Sequence, residues 1–292
     1  MKIASFFLQG APAVGLVSTD LQSVQPFAVS TEQAARGALC ILEAQARGDA
    51  LPALLAAVAL TEVRLRAPIP QPRRNIFCVG KNYFAHAKEF AGSGFDTSAK
   101  AGGDIPSVPI VFSKVPETVV ATSDFIELPA PGVSDAIDYE AELAVIIGKG
   151  GKGIRAADAM QHVWGYTIVN DVTSRDWQNR HLQWHMGKSF DSFCPMGPWL
   201  VSADELNGSD TGVRCYVNGE LRQDARTNDL IFNIPTLIET LSTGITLHPG
   251  DIIATGTPAG VGIGFKPPKY LKAGDVVRIE IEGIGQIENA VR

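Results

Sequence analysis

Polar and apolar residues alternate from residue 138 to residue 143 and an apolar run continues to residue 147, which predicts a strand whose side chains point to two opposite faces. One face is apolar and consists of Tyr139, Ala141, Leu143, Val145 and Ile147. The other face begins with Asp138, Glu140 and Glu142 and is apolar beyond them. Adjacent carboxylates on a strand with so little polar surface need a cationic partner. The pattern therefore predicts a buried charged site beside this strand.

A second apolar run at residues 163–170 predicts another buried strand, which leads into a polar segment. If that segment is helical from Asp171, Arg175 and Gln178 share its face. Asp171 then joins Glu140 and Glu142 in an all-oxygen set that suits Mg²⁺, with Mn²⁺ or Ca²⁺ as substitutes, better than zinc. Two carboxylates about 4 Å apart repel by roughly 4 kcal/mol at an effective dielectric near 20, so the set needs a cation.

Residues 1–70 predict a small N-terminal α/β domain, and residues 71–292 predict a second domain that carries the chemistry. In the first domain, residues 3–7 and 13–17 have the pattern of strands, and residues 31–45 and 52–63 have the pattern of helices. The proline-rich segment 67–72 marks the boundary, because it suits neither a helix nor a central strand.

Strands dominate beyond residue 73 and helices are few, which predicts a strand-rich α+β fold rather than a doubly wound one. Residues 213–221 predict a hairpin with a type I′ turn at Asn218-Gly219. Residues 234–241 predict a helix with proline in its first turn, and residues 275–282 alternate as a half-exposed strand.

His86 and Glu89 lie three residues apart on a predicted helix that follows a short strand ending at Gly80. Both a surface ion pair and a catalytic pair explain this spacing. The glycine-rich residues 91–107 follow, and a short helix tethered by such a loop is built like a lid. Lys114, at the end of another predicted strand, is either structural or functional.

Two further segments have open interpretations. Lys188, in a predicted loop, is either a surface residue or an inward-facing positive charge for an anionic substrate. The glycine-rich residues 255–262 form either a plain tight loop or one whose backbone N–H groups approach a ligand.

Composition narrows the functional classes. The formal net charge is −6 and no Lys/Arg-rich run occurs, which argues against nucleic-acid binding. The longest apolar run, residues 51–60, is about half the length that a membrane-spanning helix needs. The four cysteines form no C-x-x-C motif, as expected of a reduced cytoplasmic protein.

Five motifs together resemble the fumarylacetoacetate hydrolase family over roughly residues 73–292. They are Gly80-Lys81-Asn82-Tyr83-Phe84-Ala85-His86-Ala87-Lys88-Glu89, Asp138-Tyr139-Glu140-Ala141-Glu142, Asn170-Asp171-Val172-Thr173-Ser174-Arg175-Asp176-Trp177-Gln178, Gly187-Lys188-Ser189-Phe190-Asp191 and Thr255-Gly256-Thr257-Pro258-Ala259-Gly260-Val261. Each motif alone is weak, whereas the ordered set is specific. The resemblance implies a mixed β-roll catalytic domain behind a small N-terminal domain, and a homodimer.

The same resemblance implies roles for individual residues. Metal ligands would be Glu140, Glu142 and Asp171; catalytic residues would be His86, Glu89, Lys188 and Gln178; substrate-binding residues would be Arg175, Thr257 and Tyr83. His86 and Glu89 match a lid dyad that activates water. Substrates of the family are typically 2-oxo acids with a second carbonyl at C4.

The leading expectation is a Mg²⁺-dependent hydrolase that cleaves a carbon–carbon bond in a 2,4-dioxo acid of the acylpyruvate or fumarylpyruvate type, as in aromatic-compound catabolism. The alternative is a decarboxylase or isomerase of an oxo-dicarboxylate of the oxaloacetate or 2-hydroxymuconate type. An alternative of another class is a metal-containing binding protein without turnover.

Overall fold

The computed structural model describes residues 1–91, 105–181 and 183–292. Its strands, in chain order, are β1 Lys2–Leu8, β2 Ala11–Val17, β3 Ser23–Pro26, β4 Val58–Ala59, β5 Arg64–Arg66, β6 Ile76–Gly80, β7 Ile110–Lys114, β8 Val119–Val120, β9 Ile137–Asp138, β10 Ala141–Ile147, β11 Val163–Asn170, β12 Thr173–Ser174, β13 Cys194–Ser202, β14 Gly212–Val217, β15 Glu220–Arg226, β16 Ile252–Ala254, β17 Val276–Ile281 and β18 Gly285–Ala290. Its α-helices are α1 Thr31–Ala35, α2 Leu39–Ala46, α3 Phe84–Ala91, α4 Arg175–Arg180, α5 His185–Lys188 and α6 Ile234–Gly244. The predicted strand-rich α+β class is confirmed.

A large mixed sheet organises the chain, in the order β4-β3-β2-β1-β13-β11-β10-β16-β6-β7. Most neighbours are antiparallel, whereas β16 and β6 run parallel. Every residue of β10 is buried, because this central strand is covered on both faces. This double burial explains why Ala144 and Ile146 are apolar although they share a face with the carboxylates.

A second antiparallel sheet has the order β15-β14-β17-β18. The hairpin between β14 and β15 turns at Asn218 and Gly219, whose φ angles of 53° and 80° are positive, as a type I′ turn requires. Buried and half-exposed residues alternate along β17 as predicted. The predicted helix at residues 234–241 is α6, which has Asn233 as its N-cap.

The predicted strands at residues 3–7 and 13–17 are β1 and β2. β1 also pairs with β13, with Lys2 opposite Val201, so the large sheet continues from residues 1–70 into residues 71–292. The division into two domains at residue 70 stays a prediction.

Two N-terminal predictions are wrong in part or in full. The helix expected at residues 31–45 is broken into α1 and α2 at Gly37, whose φ is 63° and which packs tightly against the carbonyl of Pro68. Residues 52–63 form no α-helix but contain β4 and a 3-10 turn. This apolar segment instead pairs with β3, with Val58 opposite Val24.

The four cysteines are all free and buried, as their spacing indicated. In the described ranges, the helices are too short or too polar to cross a bilayer.

Candidate functional site

Three carboxylates meet where β10 begins and β11 ends. Glu140 precedes β10, Glu142 lies on it, and Asp171 directly follows β11. The two strands are antiparallel neighbours with Ala141 opposite Asn170, so the start of one lies beside the end of the other. One oxygen of each carboxylate lies within 4.8 Å of the others, and all three residues are buried. The structure thus brings together the three residues that the sequence proposed as metal ligands.

Two buried lysines bind this cluster. Lys188 Nζ donates to Glu140 Oε2 at 2.8 Å and to Asp171 Oδ2 at 2.7 Å. Lys114 Nζ donates to Asp171 Oδ1 at 2.7 Å. Gly187 lets α5 pack closely on α4, since a Cβ there would lie 2.4 Å from an α4 backbone nitrogen. Lys188 therefore faces inward, and Lys114 is a fixed counter-charge to Asp171.

Glu142 differs from the other two carboxylates, because no lysine or arginine among the described residues forms an ion pair with it. Its burial, together with the charges of Asp171 and Glu140, raises its pKa well above the usual value. Burial also opposes ionisation of Glu140, but the Lys188 and Arg175 cations outweigh it and lower that pKa to about 2. Glu142 is therefore the carboxylate of the three whose negative charge is least compensated by neighbouring cations.

The cluster and the buried residues joined to it through ion pairs, with every group ionised, carry one negative charge in excess. The carboxylates are Asp138, Glu140, Glu142 and Asp171, and the cations are Lys114, Arg175 and Lys188, all of them buried. Their charges of −4 and +3 sum to −1. A divalent cation would offset this excess and would find the oxygen ligands that Mg²⁺ prefers. The residues present fit such an ion.

The predicted helical face shared by Asp171, Arg175 and Gln178 is wrong, because α4 begins only at Arg175. The two residues before it form β12, which pairs with β9. Arg175 and Gln178 nevertheless come together one turn apart, where Arg175 Nη1 donates to Gln178 Oε1 at 3.1 Å.

Arg175 is held on two sides by carboxylates. Its Nε donates to Asp138 Oδ2 at 2.9 Å, and its Nη1 lies 2.7 Å from Glu140 Oε1. Its Nη2 is buried and has no partner among the described residues. A buried guanidinium N–H without an acceptor is costly, which indicates that this nitrogen donates to an anionic ligand when one is bound.

His86 Nδ1 lies 3.1 Å from Glu89 Oε2 on α3. His86 is only 4% exposed, so the pair is not on the open surface. The second Glu89 oxygen accepts from the backbone N–H of Gly260 at 2.9 Å. The lid expected from residues 91–107 lies mostly outside the described residues, which omit 92–104, and it stays a prediction.

The glycine-rich loop after β16 donates backbone N–H groups to three carboxylates of the site. The bonds run from Gly256 to Glu142 at 2.8 Å, from Gly260 to Glu89 at 2.9 Å, and from Gly262 and Ile263 to Asp138 at 2.6 and 3.0 Å. Gly256 and Gly260 have φ angles of 108° and 102°, which L side chains rarely adopt. The sequence left open whether the amides of this loop approach a ligand, and in the structure these amides hold protein carboxylates.

Several of these groups line one cavity, although Asp171 and Glu89 are not among its lining residues. Its polar lining consists of Lys81, His86, Glu140, Glu142, Arg175, Gln178, Lys188 and Thr257, and its apolar lining includes Val79, Phe90, Phe112 and Trp184. Sequence reasoning missed Lys81 and Trp184. Lys81 is 4% exposed with a φ of 54°, a rare backbone conformation for lysine, and only its place in the motif with His86 could have singled it out.

Tyr83, which the resemblance assigned to substrate binding, is not among the residues that line the cavity. It is 2% exposed, and its hydroxyl has no partner in the described part of the chain. Burial and the Glu142 charge raise the pKa of this hydroxyl. Tyr83 therefore does not line the cavity, and its assignment to substrate binding stays a prediction.

Comparison with known proteins agrees with this site. The model of the fumarylacetoacetate (FAA) hydrolase C-terminal domain matches residues 75–292. Oxaloacetate tautomerase YisK of Bacillus subtilis (strain 168) is 51% identical over 234 residues, which are 80% of this chain and 74% of that protein. The human mitochondrial oxaloacetate tautomerase FAHD2A is 44% identical over 245 residues, 83% of this chain and 74% of that protein.

Two solved structures extend the match over the whole chain. Fumarylacetoacetate hydrolase from the psychrophile Exiguobacterium antarcticum has a TM-score of 0.83 and 40% identity, covering 100% of this chain and 99% of that one. The 5-carboxymethyl-2-hydroxymuconate delta-isomerase of Mycobacterium smegmatis has a TM-score of 0.79 and 34% identity, with the same coverage. By sequence, fold and domain match, the chain belongs to the fumarylacetoacetate hydrolase family.

Proposed function

We propose that this protein is a divalent-metal-dependent tautomerase that interconverts the keto and enol forms of a 2-oxo dicarboxylic acid of the oxaloacetate type. Relatives that are 44% to 51% identical carry the name oxaloacetate tautomerase. These names favour isomerisation, the alternative that the sequence left open, over the carbon–carbon bond hydrolysis that it ranked first.

The observation that carries the proposal is one cavity in which His86 faces the same space as Arg175 and Lys188. In the tautomerisation a proton leaves C3, its electron pair forms the C2=C3 double bond, and the 2-oxo oxygen gains a proton. No other reactant is consumed. The reaction therefore needs a proton carrier and fixed positive charge near the 2-oxo oxygen, and both groups line this cavity.

Glu140, Glu142 and Asp171 would hold the metal, with Mg²⁺ as the first choice and Mn²⁺ or Ca²⁺ as substitutes. The bound ion would supply positive charge that polarises the 2-oxo group and makes the C3 proton more acidic.

His86 is the proton carrier in this proposal. A carboxylate only accepts hydrogen bonds, so the Nδ1 beside Glu89 carries a hydrogen and Nε2 keeps a lone pair. Nε2 takes the proton from C3 and then gives a proton to the 2-oxo oxygen, and the two transfers run in the opposite order in the other direction, while Glu89 stabilises the imidazolium.

Lys188 acts as fixed charge rather than as a base. Burial opposes its protonation, but the charges of Asp171 and Glu140 outweigh this and raise its pKa. The lysine stays an ammonium ion, which stabilises negative charge that develops on the substrate oxygen. Arg175 Nη2 and the Gln178 amide nitrogen, which donate to no acceptor among the described residues, are donors for a substrate carboxylate.

The test is to follow oxaloacetate with purified protein and Mg²⁺ by three readouts: decay of the enol absorbance, release of pyruvate, and exchange of the C3 hydrogens with D₂O. The proposal expects fast enol decay and exchange without pyruvate release. Enol decay no faster than in buffer would refute it, pyruvate release would identify a decarboxylase, and tight binding without turnover would identify a metal-containing binding protein.

Hydrolysis of a 2,4-dioxo acid is the second candidate, because the His86–Glu89 pair can equally activate water. Its support is the likeness to the fumarylacetoacetate hydrolase of Exiguobacterium antarcticum. A panel of acylpyruvates and fumarylpyruvate separates the two functions, since only a hydrolase releases pyruvate from them.

We further propose that the protein is a cytoplasmic homodimer. Trp177, Met186 and Phe190 lie in an apolar groove outside the cavity, which is a candidate contact surface for a second copy. Light scattering after size-exclusion chromatography measures the assembly, and a monomer at micromolar concentration would contradict it.

A further inference from the structure

Gln223 lies on β15, in the smaller sheet, and reaches the site from a side that none of the family motifs covers. It is completely buried. Its Oε1 accepts from the backbone N–H of Ala141, the residue between Glu140 and Glu142, at 3.0 Å. Its Nε2 donates to Thr257 Oγ1 at 2.8 Å and to the Pro258 carbonyl at 2.7 Å.

The orientation of this amide is fixed by its partners. The backbone N–H of Ala141 can only donate, and the carbonyl of Pro258 can only accept. The Gln223 oxygen must therefore face Ala141, and the nitrogen must face Pro258 and Thr257. Both N–H donors of the amide are then used, and its oxygen accepts one hydrogen bond.

The hydroxyl of Thr257 is oriented as a consequence. Its oxygen receives a hydrogen from Gln223, so its own hydrogen must point elsewhere. The described residues offer that hydrogen no acceptor, although Thr257 is only 2% exposed and lines the cavity. The hydroxyl is therefore set to donate into the cavity.

We infer that Gln223 is a positioning residue that makes Thr257 a hydrogen-bond donor to the anionic oxo acid, while it also anchors the strand between two of the proposed metal ligands. The inference rests on the proposed function for the nature of the ligand. It assigns Gln223 no contact with substrate, because its effect passes through Thr257.

The test measures the binding of oxalate, a non-reacting oxo-acid mimic, by calorimetry at saturating Mg²⁺, so that it does not depend on turnover. Thr257→Val should weaken oxalate binding about 10-fold or more, the usual worth of a hydrogen bond to a charged group. Gln223→Met should weaken it to a similar degree. The double variant should bind no more weakly than the weaker single variant, because both remove the same donor.

Controls separate positioning from general loss of stability. Asn289→Leu removes another buried amide, which donates to the carbonyls of Ala121 and Asp124 away from the cavity. It should lower the melting temperature without changing oxalate affinity. If Gln223→Met does not fold, Gln223→Glu keeps the acceptor for Ala141 and should still weaken oxalate binding.

Unchanged oxalate affinity in a folded Gln223 variant would overturn the inference. A double variant whose loss of oxalate affinity equals the product of the two single losses would also overturn the inference, because it would show that the two residues act independently. Failure of the wild type to bind oxalate with Mg²⁺ would overturn it as well. If the variants change oxalate affinity as expected but the wild type has no tautomerase activity, the result would support Gln223 as a positioning residue and would refute the proposed function instead.

Discussion

Lys188 Nζ lies 2.7 Å from Asp171 Oδ2 in an ion pair that is almost completely removed from solvent. The ammonium group, which also binds Glu140, therefore shares two carboxylates with the proposed metal. It is a permanent part of the site's charge balance, and it repels any cation that binds there.

Replacing Lys188 by Met should lower kcat by about 100-fold or more, the loss seen when one donor to a developing oxyanion is removed. Mg²⁺ affinity should stay the same or rise, because a competing positive charge is gone. Steady-state kinetics and calorimetry measure the two effects, with the exposed Lys149→Met as control. Equal losses in turnover and metal affinity would show that Lys188 is mainly structural.

Glu142→Gln should abolish activity and weaken Mg²⁺ binding, yet the metal-free variant should be at least as stable as the wild type. The physical reason is that the substitution removes the carboxylate whose burial and neighbours disfavour its charge. Thermal unfolding with and without Mg²⁺ tests this, because a bound ion raises the melting temperature. The exposed Glu117→Gln should keep the full Mg²⁺-dependent shift. A Glu142→Gln variant that keeps this shift would contradict the proposed ligand set.

His86→Ala should lower kcat by roughly 100-fold or more, the usual contribution of a positioned proton carrier. Mg²⁺ affinity should change little, because His86 is not among the proposed ligands. Lys88→Ala, on the exposed face of the same helix, is the matched control. Near-normal turnover in His86→Ala would make the His86–Glu89 pair a structural ion pair.

Gly264→Ala should reduce turnover about 10-fold with little change in melting temperature. A Cβ at this position would lie 2.0 Å from Glu89 Oε1. The flexible Glu89 side chain can move away at small cost to the fold, but it then loses its contact with His86, and a lost hydrogen bond to a charged group is worth about this factor. Gly244→Ala is the control, because no atom lies within 4 Å of the added Cβ. Unchanged kinetics in Gly264→Ala would mean that the position of Glu89 is unimportant.

The sequence predicted the strands around the site well, because their apolar periodicity reflects burial directly. β11 has the predicted bounds, residues 163–170. The helix expected at residues 52–63 failed, since an apolar run does not reveal whether its backbone bonds within a helix or to a distant strand such as β3. The same limit applies to α4, whose start is set by the pairing of β12 with β9.

Within the site, the sequence identified the carboxylates but not all of the cations that pair with them. The contacts of Lys114 with Asp171 and of Asp138 with Arg175 join residues that are 57 and 37 positions apart. Such pairs depend on tertiary packing and leave no local pattern. Gln223 gave no signal at all, because its role lies in three hydrogen bonds to other elements.

The pairing of β1 with β13 also sets the order of events during synthesis. Lys2 and Ile3 lie opposite Val201 and Leu200, so this end of β1 has no permanent neighbour on that side until about 200 residues have been made, some 10 to 40 s at 5–20 residues per second, whereas residues 5–7 pair with β5 much earlier. An uncovered strand edge can pair with other chains during that time. By then the segments that carry Glu140, Asp171 and Lys188 have already left the peptidyl-transferase centre. Closure of the large sheet is thus a late, long-range step, and in chains that stop before β13 the start of β1 stays uncovered.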